Sequence, residues 1–234
     1  MRKYRVILQD QEWPQSEFAT GPIQHKLIAG VDYIHTDRRT LTRLERSPSF
    51  LDVFNPVYGV TKPNKLDMPL FADNNFTANS WGFFIQDQIA LSKKLKLLAG
   101  LRYDTISQTT VNVDAFGDQE TTQFNGNALT PRLGLLYQLT PQLSLYGSYS
   151  ESFKPNTGDS ATGKPLDPER GKGYELGLKT ELFNGKLLAT IAYFDITKQN
   201  VAGTDPNFPL FSVTTGEQRS RGIELDVAGE LSPD

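Results

Sequence analysis

The sequence predicts an all-β protein, and more narrowly an antiparallel transmembrane β-barrel segment of about eight or nine strands. Three observations lead to this prediction. Apolar and polar residues alternate with a period of two along most of the chain, short turns alternate with long polar segments, and aromatic residues concentrate near the ends of the alternating runs. The runs are ~10–14 residues long, and a tilted strand needs only ~9–11 to cross a bilayer.

The alternation is most regular in four runs, residues 95–107, 129–139, 174–182 and 223–231. In the first of them Leu97 and Leu101 are apolar, whereas Lys96 and Arg102 beside them are charged. Less regular runs cover residues 24–36, 79–91, 143–153 and 186–199, and a weaker run opens the chain. One residue breaks the pattern, because Asp87 falls on the same face as Trp81 and Phe83.

The connections between these runs are of two kinds. Short turns are predicted at Ser92-Lys93-Lys94, Thr140-Pro141-Gln142 and Asn184-Gly185, and Asn-Gly is a strong hairpin signal. Long loops are predicted at residues 37–78, 108–127, 154–171 and 200–217, which are rich in Pro, Asn, Asp and Gly. Outer-membrane barrels have short periplasmic turns and long extracellular loops, so this alternation favours such a barrel.

Composition excludes several classes of function. The 234 residues carry 24 Lys+Arg and 27 Asp+Glu, a net charge of −3, so no basic surface is predicted for nucleic acid. The chain has no Cys, which rules out thiolate metal sites and Cys nucleophiles. His25 and His35 lie about 33 Å apart along one strand, too far to share a metal ion. We therefore predict no enzyme activity, no resident cofactor and no metal site.

Two other readings explain part of the pattern. A soluble all-β binding module fits the mean hydropathy of −0.42 and the lack of a signal-peptide pattern after Met1. A small porin-like passive channel fits the alternation. The first of these does not explain the pairing of short turns with long loops, and the amino terminus is also compatible with a chain cut from something longer.

Several motifs carry a family resemblance. The run WGFFIQDQIALSKKLKLLAGLRYD (81–104) resembles the central hairpin of TonB-dependent outer-membrane receptors. Further segments are similar to receptor strands in the same order: HKLIAGVDY (25–33), YGSYSESFKPNTG (146–158), GKPLDPERGKGYELGLKTEL (163–182), AYFDITKQNV (192–201) and QRSRGIELDVAGEL (218–231). The resemblance is strongest to the siderophore-receptor branch, including ferrichrome-type receptors.

The resemblance implies a 22-stranded, plugged barrel in the outer membrane of a Gram-negative bacterium. It implies active import of a ferric siderophore, energised by a TonB complex acting on the plug, with outer-membrane lipid around the barrel. No segment resembles the plug, the TonB-contacting box or the closing strand. Residues 1–234 are therefore expected to be a partial barrel from which the plug domain and the C-terminal strands are absent, with iron present only inside the siderophore.

Two groups of site residues follow from the same reasoning. Charged residues expected to face the lumen, where they would contact a plug, line the substrate route or simply be solvated, are Arg102, Asp104, Arg132, Glu175, Lys179, Glu224 and Asp226. Aromatic residues suit a chelate that presents apolar and polarised surface. The predicted ligand contacts are Phe54, Tyr58, Phe76, Phe116 and Phe208 in loops and Trp81 at a strand mouth, with Phe71, Phe124 and Phe211 as further loop aromatics.

Overall fold

The computed structural model describes residues 15–44, 54–56, 68–156, 160–183, 185–209 and 211–229. These residues form nine β-strands: β1 (Gln15–Thr20), β2 (Ile23–Arg43), β3 (Leu70–Ala90), β4 (Leu95–Asp114), β5 (Gln119–Gln138), β6 (Leu143–Lys154), β7 (Glu169–Leu182), β8 (Leu187–Thr204) and β9 (Ser212–Gly229). They form one sheet in chain order from β1 to β9, and the all-β antiparallel prediction is confirmed.

The chain divides into two compact units. One contains residues 1–8, 34–80 and 106–125, and the other contains residues 9–33, 81–105 and 126–234. The first unit thus holds the far ends of β2 to β5, meaning residues 34–43, 70–80, 106–114 and 119–125, and the second holds the remaining parts of those strands together with β1 and β6 to β9.

The predicted short turns are present. Between β3 and β4, the Ser92 hydroxyl accepts hydrogen bonds from the backbone N–H groups of Lys94 and Leu95. Thr140 does the same between β5 and β6, for Gln142 and Leu143. Such local side-chain acceptors compete with the ladder and end each strand. In the third turn Gly185 has φ +90°, a value that favours glycine, while Asn184 lies outside the described residues.

The predicted long loops are shorter than expected, because the strands extend into them. Residues 108–127, predicted as one loop, form the ends of β4 and β5 joined at residues 115–118. There the Asp114 carboxylate accepts hydrogen bonds from the N–H groups of Phe116 and Asp118, and Gly117 has φ +89°. The extensions carry polar, Thr-rich sequence on both faces, so they have strand propensity but no apolar period.

In β5 to β9 the two faces of the sheet differ sharply. The face that we call the apolar face carries Tyr174, Leu176 and Leu178 on β7, and their ladder neighbours on β8 and β9 include Tyr193, Ile191, Ile223 and Leu225. The opposite face, called the polar face, carries Glu175, Gly177 and Lys179. Side chains on the apolar face are exposed, and Ile223 reaches 75%. This arrangement suits contact with lipid on the apolar face.

The described residues contain almost no buried core. The buried apolar side chains among them are Ala78, Ala128, Leu166 and Ala192, and none of the large side chains is fully buried. A soluble sheet protein of this size needs a second layer to bury one face. Most large apolar side chains of the described strands are not buried in this way.

The position of Asp87 on the apolar face has a local explanation. His25 on β2 lies 2.7 Å from Asp87 on β3, measured from Nδ1 to Oδ2, and the ring of Phe18 on β1 stacks on His25 with centroids 4.7 Å apart. The side chains of His25 and Asp87 are only 15% and 20% exposed. A carboxylate on this face is thus paired and partly covered, close to the short turn that ends β3.

Candidate functional site

An ion-pair cluster centred on Arg102 occupies the polar face where β2, β3 and β4 run side by side. Arg102 donates from Nη1 and Nη2 to the two carboxylate oxygens of Asp32 at 2.7 and 3.0 Å. Its Nε donates to Asp104 at 2.9 Å, and Nη2 lies 2.7 Å from the same carboxylate. One guanidinium thus bridges two carboxylates, which is the fork geometry that arginine favours.

Gly82 on β3 makes this bridge possible. Asp32 and Arg102 belong to strands on either side of β3 in the sheet order, so the Arg102 side chain must pass over the middle strand. A Cβ placed on Gly82 would lie 1.9 Å from Arg102 Nη2 and 2.7 Å from Asp32 Oδ1. The absence of a side chain at Gly82 is therefore a requirement of the cluster.

A second cluster on the polar face centres on Tyr146 of β6. Its ring lies over Gly177, its partner across the β6–β7 ladder, and its hydroxyl donates a hydrogen bond to Glu175. The Lys179 ammonium lies 4.7 Å from the centre of the Tyr146 ring, a cation–π distance. The ring thus positions one acid and one base of the predicted lumen-facing set.

The remaining predicted charged residues lie on the same face of β5 to β9. Asp226 and Lys179 are the two ladder neighbours of Thr190, and Glu224 stands opposite Ala192. Arg132 on β5 stands opposite Ser150 and is exposed. The structure places all seven predicted residues on strands and brings Arg102 together with Asp104, and Glu175 together with Lys179. Sequence analysis missed Asp32 and Tyr146. The available signal for Asp32 was a charged residue within an alternating run, and for Tyr146 it was an aromatic residue opposite a glycine.

The far ends of β2 and β3 carry a separate set of contacts. Arg39 donates to Asp73 from Nε at 2.9 Å and from Nη2 at 2.5 Å, and these hydrogen bonds lower the pKa of Asp73 and raise that of Arg39. The preceding residue, Arg38, lies on the opposite face of β2 and places its guanidinium 5.2 Å from the centre of the Phe76 ring. Counted from the short-turn ends of the strands, at Ile23 for β2 and Ala90 for β3, both pairs lie past the first 11 residues, and a strand needs only ~9–11 residues to cross a membrane.

The predicted ligand aromatics are scattered. Phe54 and Phe116 are 98% and 87% exposed, Phe208 meets Phe211 edge to face, and Tyr58 lies outside the described residues. Phe71, Phe76 and Phe124 belong to strands, although they were predicted in loops. Trp81 is not at a strand mouth: it lies inside β3, 4.6 Å from the Tyr33 ring and 6.4 Å from the Phe83 ring, with which it shares the apolar face.

No helix among the described residues is long and apolar enough to cross a membrane. Within the same residues, His, Asp and Glu side chains do not gather in threes as a metal ion would require.

Comparison with known proteins gives the family. A family model described as "TonB dependent receptor-like, beta-barrel" matches residues 4–232. The metal-pseudopaline receptor of Pseudomonas aeruginosa is 38% identical over 99% of this chain and 34% of its own length. The ferrichrome outer membrane transporter/phage receptor of Escherichia coli is 34% identical over 93% of this chain and 29% of its own length. The chain thus spans about a third of the length of the curated relatives that it matches.

Structural similarity agrees with the sequence matches. The closed form of the ferric-catecholate import receptor Fiu from E. coli superposes with a TM-score of 0.76, at 21% identity, over 94% of this chain and 34% of that one. This likeness bears on the fold alone, and it confirms the predicted type of sheet. The chain belongs to the TonB-dependent receptor family, as its strand motifs predicted, and with it to the outer membrane of Gram-negative bacteria.

Proposed function

We propose that this chain is part of the barrel wall of an active transporter that imports a ferric siderophore across the outer membrane. The transport is energised by a TonB complex that acts on a plug domain inside the barrel. Transport makes and breaks no covalent bond, so the activity is not enzymatic. The observation that carries the proposal is the family match along the whole sheet, combined with relatives whose names describe receptors for metal chelates.

The two-faced sheet supports the same function. The apolar face suits lipid, and the polar face offers bridged charges that a plug or a passing polar ligand can contact. Clusters such as Asp32–Arg102–Asp104 hold their side chains in fixed geometry, which limits the entropy lost when a partner docks. A passive porin would use the same faces, but the relatives are receptors with TonB-dependent barrels.

We further propose that aromatic residues of the predicted ligand set capture the chelate at the extracellular side. Phe54, Tyr58, Phe116 and Phe208 retain this role from the sequence, and Phe76 gains support because Arg38 lies over its ring, a combination that suits an anionic or aromatic chelate. Trp81 is removed from the set, since it belongs to the row of aromatics on the apolar face.

A growth experiment tests the proposal. The gene that encodes this chain is deleted, and cells are grown in iron-depleted medium with one purified ferric siderophore at a time. We expect growth to fail on one siderophore and to return with the gene supplied on a plasmid, but only in cells with a working TonB. Loss of growth only on cobalamin or an oligosaccharide would contradict the siderophore assignment, and growth unaffected by loss of TonB would favour a passive channel.

A chelate of another metal is the second candidate. One relative at 38% identity is named for a metal-pseudopaline complex rather than for an iron siderophore. Cells lacking the gene are therefore also tested for uptake of radioactive zinc and nickel in metal-depleted medium. A defect in zinc or nickel uptake, with iron uptake intact, would replace iron as the proposed cargo.

A further inference from the structure

Asn200 has an unusual backbone conformation near one end of β8. Its φ is +58°, in the left-handed region that residues with a Cβ seldom occupy, although asparagine enters it more readily than most. The ladder with β7 ends one residue earlier, at the pair Arg170–Gln199, and the ladder with β9 passes from Gln199 directly to Val201. Because the short turns mark the periplasmic side, this end of β8 is extracellular.

Asn156, which follows the end of β6, joins the β6–β7 connection to Asn200. Its side-chain amide donates hydrogen bonds to the backbone oxygen of Asn200 at 2.6 Å and to that of Asp167 at 2.5 Å. The Asn200 side-chain amide in turn donates to the backbone oxygen of Pro168 at 3.1 Å. Both ends of the connection are thereby joined to one residue of β8, and we call these four residues the asparagine latch.

A buried side chain lies next to the latch. Leu166, which precedes Asp167, is only 8% exposed, whereas Lys164 and Pro165 before it are exposed. An apolar side chain in a connection stays buried only while the connection is held in place. The exposure of Leu166 therefore reports whether the latch is closed.

The connection that follows β8 also has a fixed geometry. The Asp205 carboxylate accepts hydrogen bonds from the N–H groups of Asn207 and Phe208 at 2.8 and 3.2 Å, and the rings of Phe208 and Phe211 meet edge to face. Phe208 is one of the aromatic residues proposed to contact the chelate. Asn200 thus lies at the base of two extracellular connections, since one is joined to it and the other continues from its strand.

We propose that Asn156 and Asn200 are positioning residues for capture of the chelate. The latch holds the β6–β7 connection in place near the connection that carries Phe208, so that both are ordered before the ligand arrives. A connection that is ordered in advance loses little conformational entropy when a ligand docks, so the latch raises affinity without acting on passage through the lumen. This inference rests on the proposed function.

Proteinase K added to intact cells that carry the full receptor tests whether the latch holds the connection. This protease cleaves after apolar residues, and the bond after Leu166 is accessible only when the connection opens, so the cleavage rate follows the open population. Asn156→Ala removes two hydrogen bonds and should raise this rate about 30-fold, because each bond contributes about fivefold. Mass spectrometry of the fragments identifies the cleaved bond.

Two further variants separate the amide from the backbone conformation. Asn200→Gly removes one side-chain hydrogen bond and tolerates the positive φ, so it should raise cleavage after Leu166 about fivefold without disturbing β8. Asn207→Ala is the matched control, because the Asn207 side chain forms no hydrogen bond among the described residues, and its cleavage rate should equal that of the wild type.

Uptake of a radioactive ferric siderophore that the wild-type receptor transports tests the role in capture. The double variant Asn156→Ala/Asn200→Gly should raise the concentration at half-maximal uptake about tenfold, because the ligand then has to order the connection itself. Its maximal rate of uptake should stay within twofold of the wild type, and Asn207→Ala should match the wild type in both quantities.

Cleavage after Leu166 within twofold of the wild type in Asn156→Ala would overturn the latch. Faster cleavage with an unchanged half-maximal concentration in the double variant would overturn the role in capture, and so would a loss confined to the maximal rate. If the wild-type receptor transports no ferric siderophore, the proposed function fails, while the cleavage rates still decide whether the latch exists.

Discussion

Arg102 reaches Asp32 only because Gly82 lies beneath its guanidinium. The three residues belong to adjacent strands, and the ion pair crosses the middle one at a distance that no other residue type would allow. The glycine serves a side chain rather than a turn, since its backbone φ is not in the left-handed region. A polar cluster of this kind links three neighbouring strands on the polar face.

Gly82→Ala is expected to separate Arg102 from Asp32. The nearest atoms are the ends of flexible side chains, so the backbone should stay in place while the bridge is lost. The free energy of unfolding should fall by about 1–3 kcal/mol, the usual cost of overpacking with a lost charged hydrogen bond. Urea unfolding of the refolded receptor measures it, with Gly100→Ala as the control, since a Cβ there meets Gln86 at 3.5 Å. An equal effect of both variants would contradict the role of Gly82.

Gly177→Ala should be more harmful than Gly82→Ala. A Cβ at Gly177 would lie 2.6 Å from the Tyr146 ring and 2.7 Å from the backbone oxygen of Ile191, and a backbone oxygen cannot move without disturbing the β7–β8 ladder. Removing the ring as well, in Gly177→Ala/Tyr146→Ala, should restore little stability. Unfolding in urea distinguishes the cases, and full rescue by the double variant would show that the ring is the only obstacle.

Substitutions of His25 and Asp87 are expected to have non-additive effects on stability. Asp87→Leu leaves the imidazole without its partner on the apolar face, and His25→Leu leaves the carboxylate alone, so each should cost about 1–3 kcal/mol. The double variant His25→Leu/Asp87→Leu removes both polar groups and should be more stable than either single variant. Thermal loss of the unheated electrophoretic mobility reports stability, and simple additivity would contradict a direct pairing.

The stabilising contribution of the Arg39–Asp73 pair is expected to be lost only at acidic pH. Hydrogen bonds from Arg39 place the pKa of Asp73 below its ordinary value, so this pair stabilises the strand ends fully above pH ~3.9 and loses that contribution as pH falls through the lowered pKa. Carboxyl chemical shifts followed by NMR should give a midpoint below ~3.9 for Asp73. Arg39→Gln should return the midpoint toward the ordinary value, and an unchanged midpoint in that variant would show that Arg39 is not what lowers the pKa.

Much of the sheet was predictable because one physical signal repeats. The alternation in residues such as Leu97, Lys96, Leu176 and Glu175 sets the face of each side chain, and lipid on one side keeps that signal strong. The strand extensions were missed, since Thr and Asn around residues 105–113 are polar on both faces and leave no period to detect.

Contacts between residues far apart in the sequence were the second feature that sequence analysis could not predict. Asp87 looked out of place because its partner His25 lies 62 positions earlier in the chain. The bridge from Arg102 to Asp32 likewise depends on which strands are neighbours, which no local pattern contains. The predicted ligand aromatics stay predictions, although Phe76 and Phe208 each have a defined ring contact.

The near absence of a buried core among the described residues has a consequence for tolerance to mutation. Side chains on the apolar face are expected to meet fluid lipid, which adapts to any apolar shape, whereas those on the polar face, such as Glu175 and Lys179, contact defined partners on neighbouring strands. If all substitutions along β7 are tested for their effect on folding, tolerance should therefore alternate from one residue to the next. Leu176 and Leu178 should accept most apolar replacements. Glu175, Gly177 and Lys179 should accept few replacements of any kind. In a globular domain the residues that tolerate few substitutions lie mainly in the buried interior. In this protein they are expected to be every second residue of a strand.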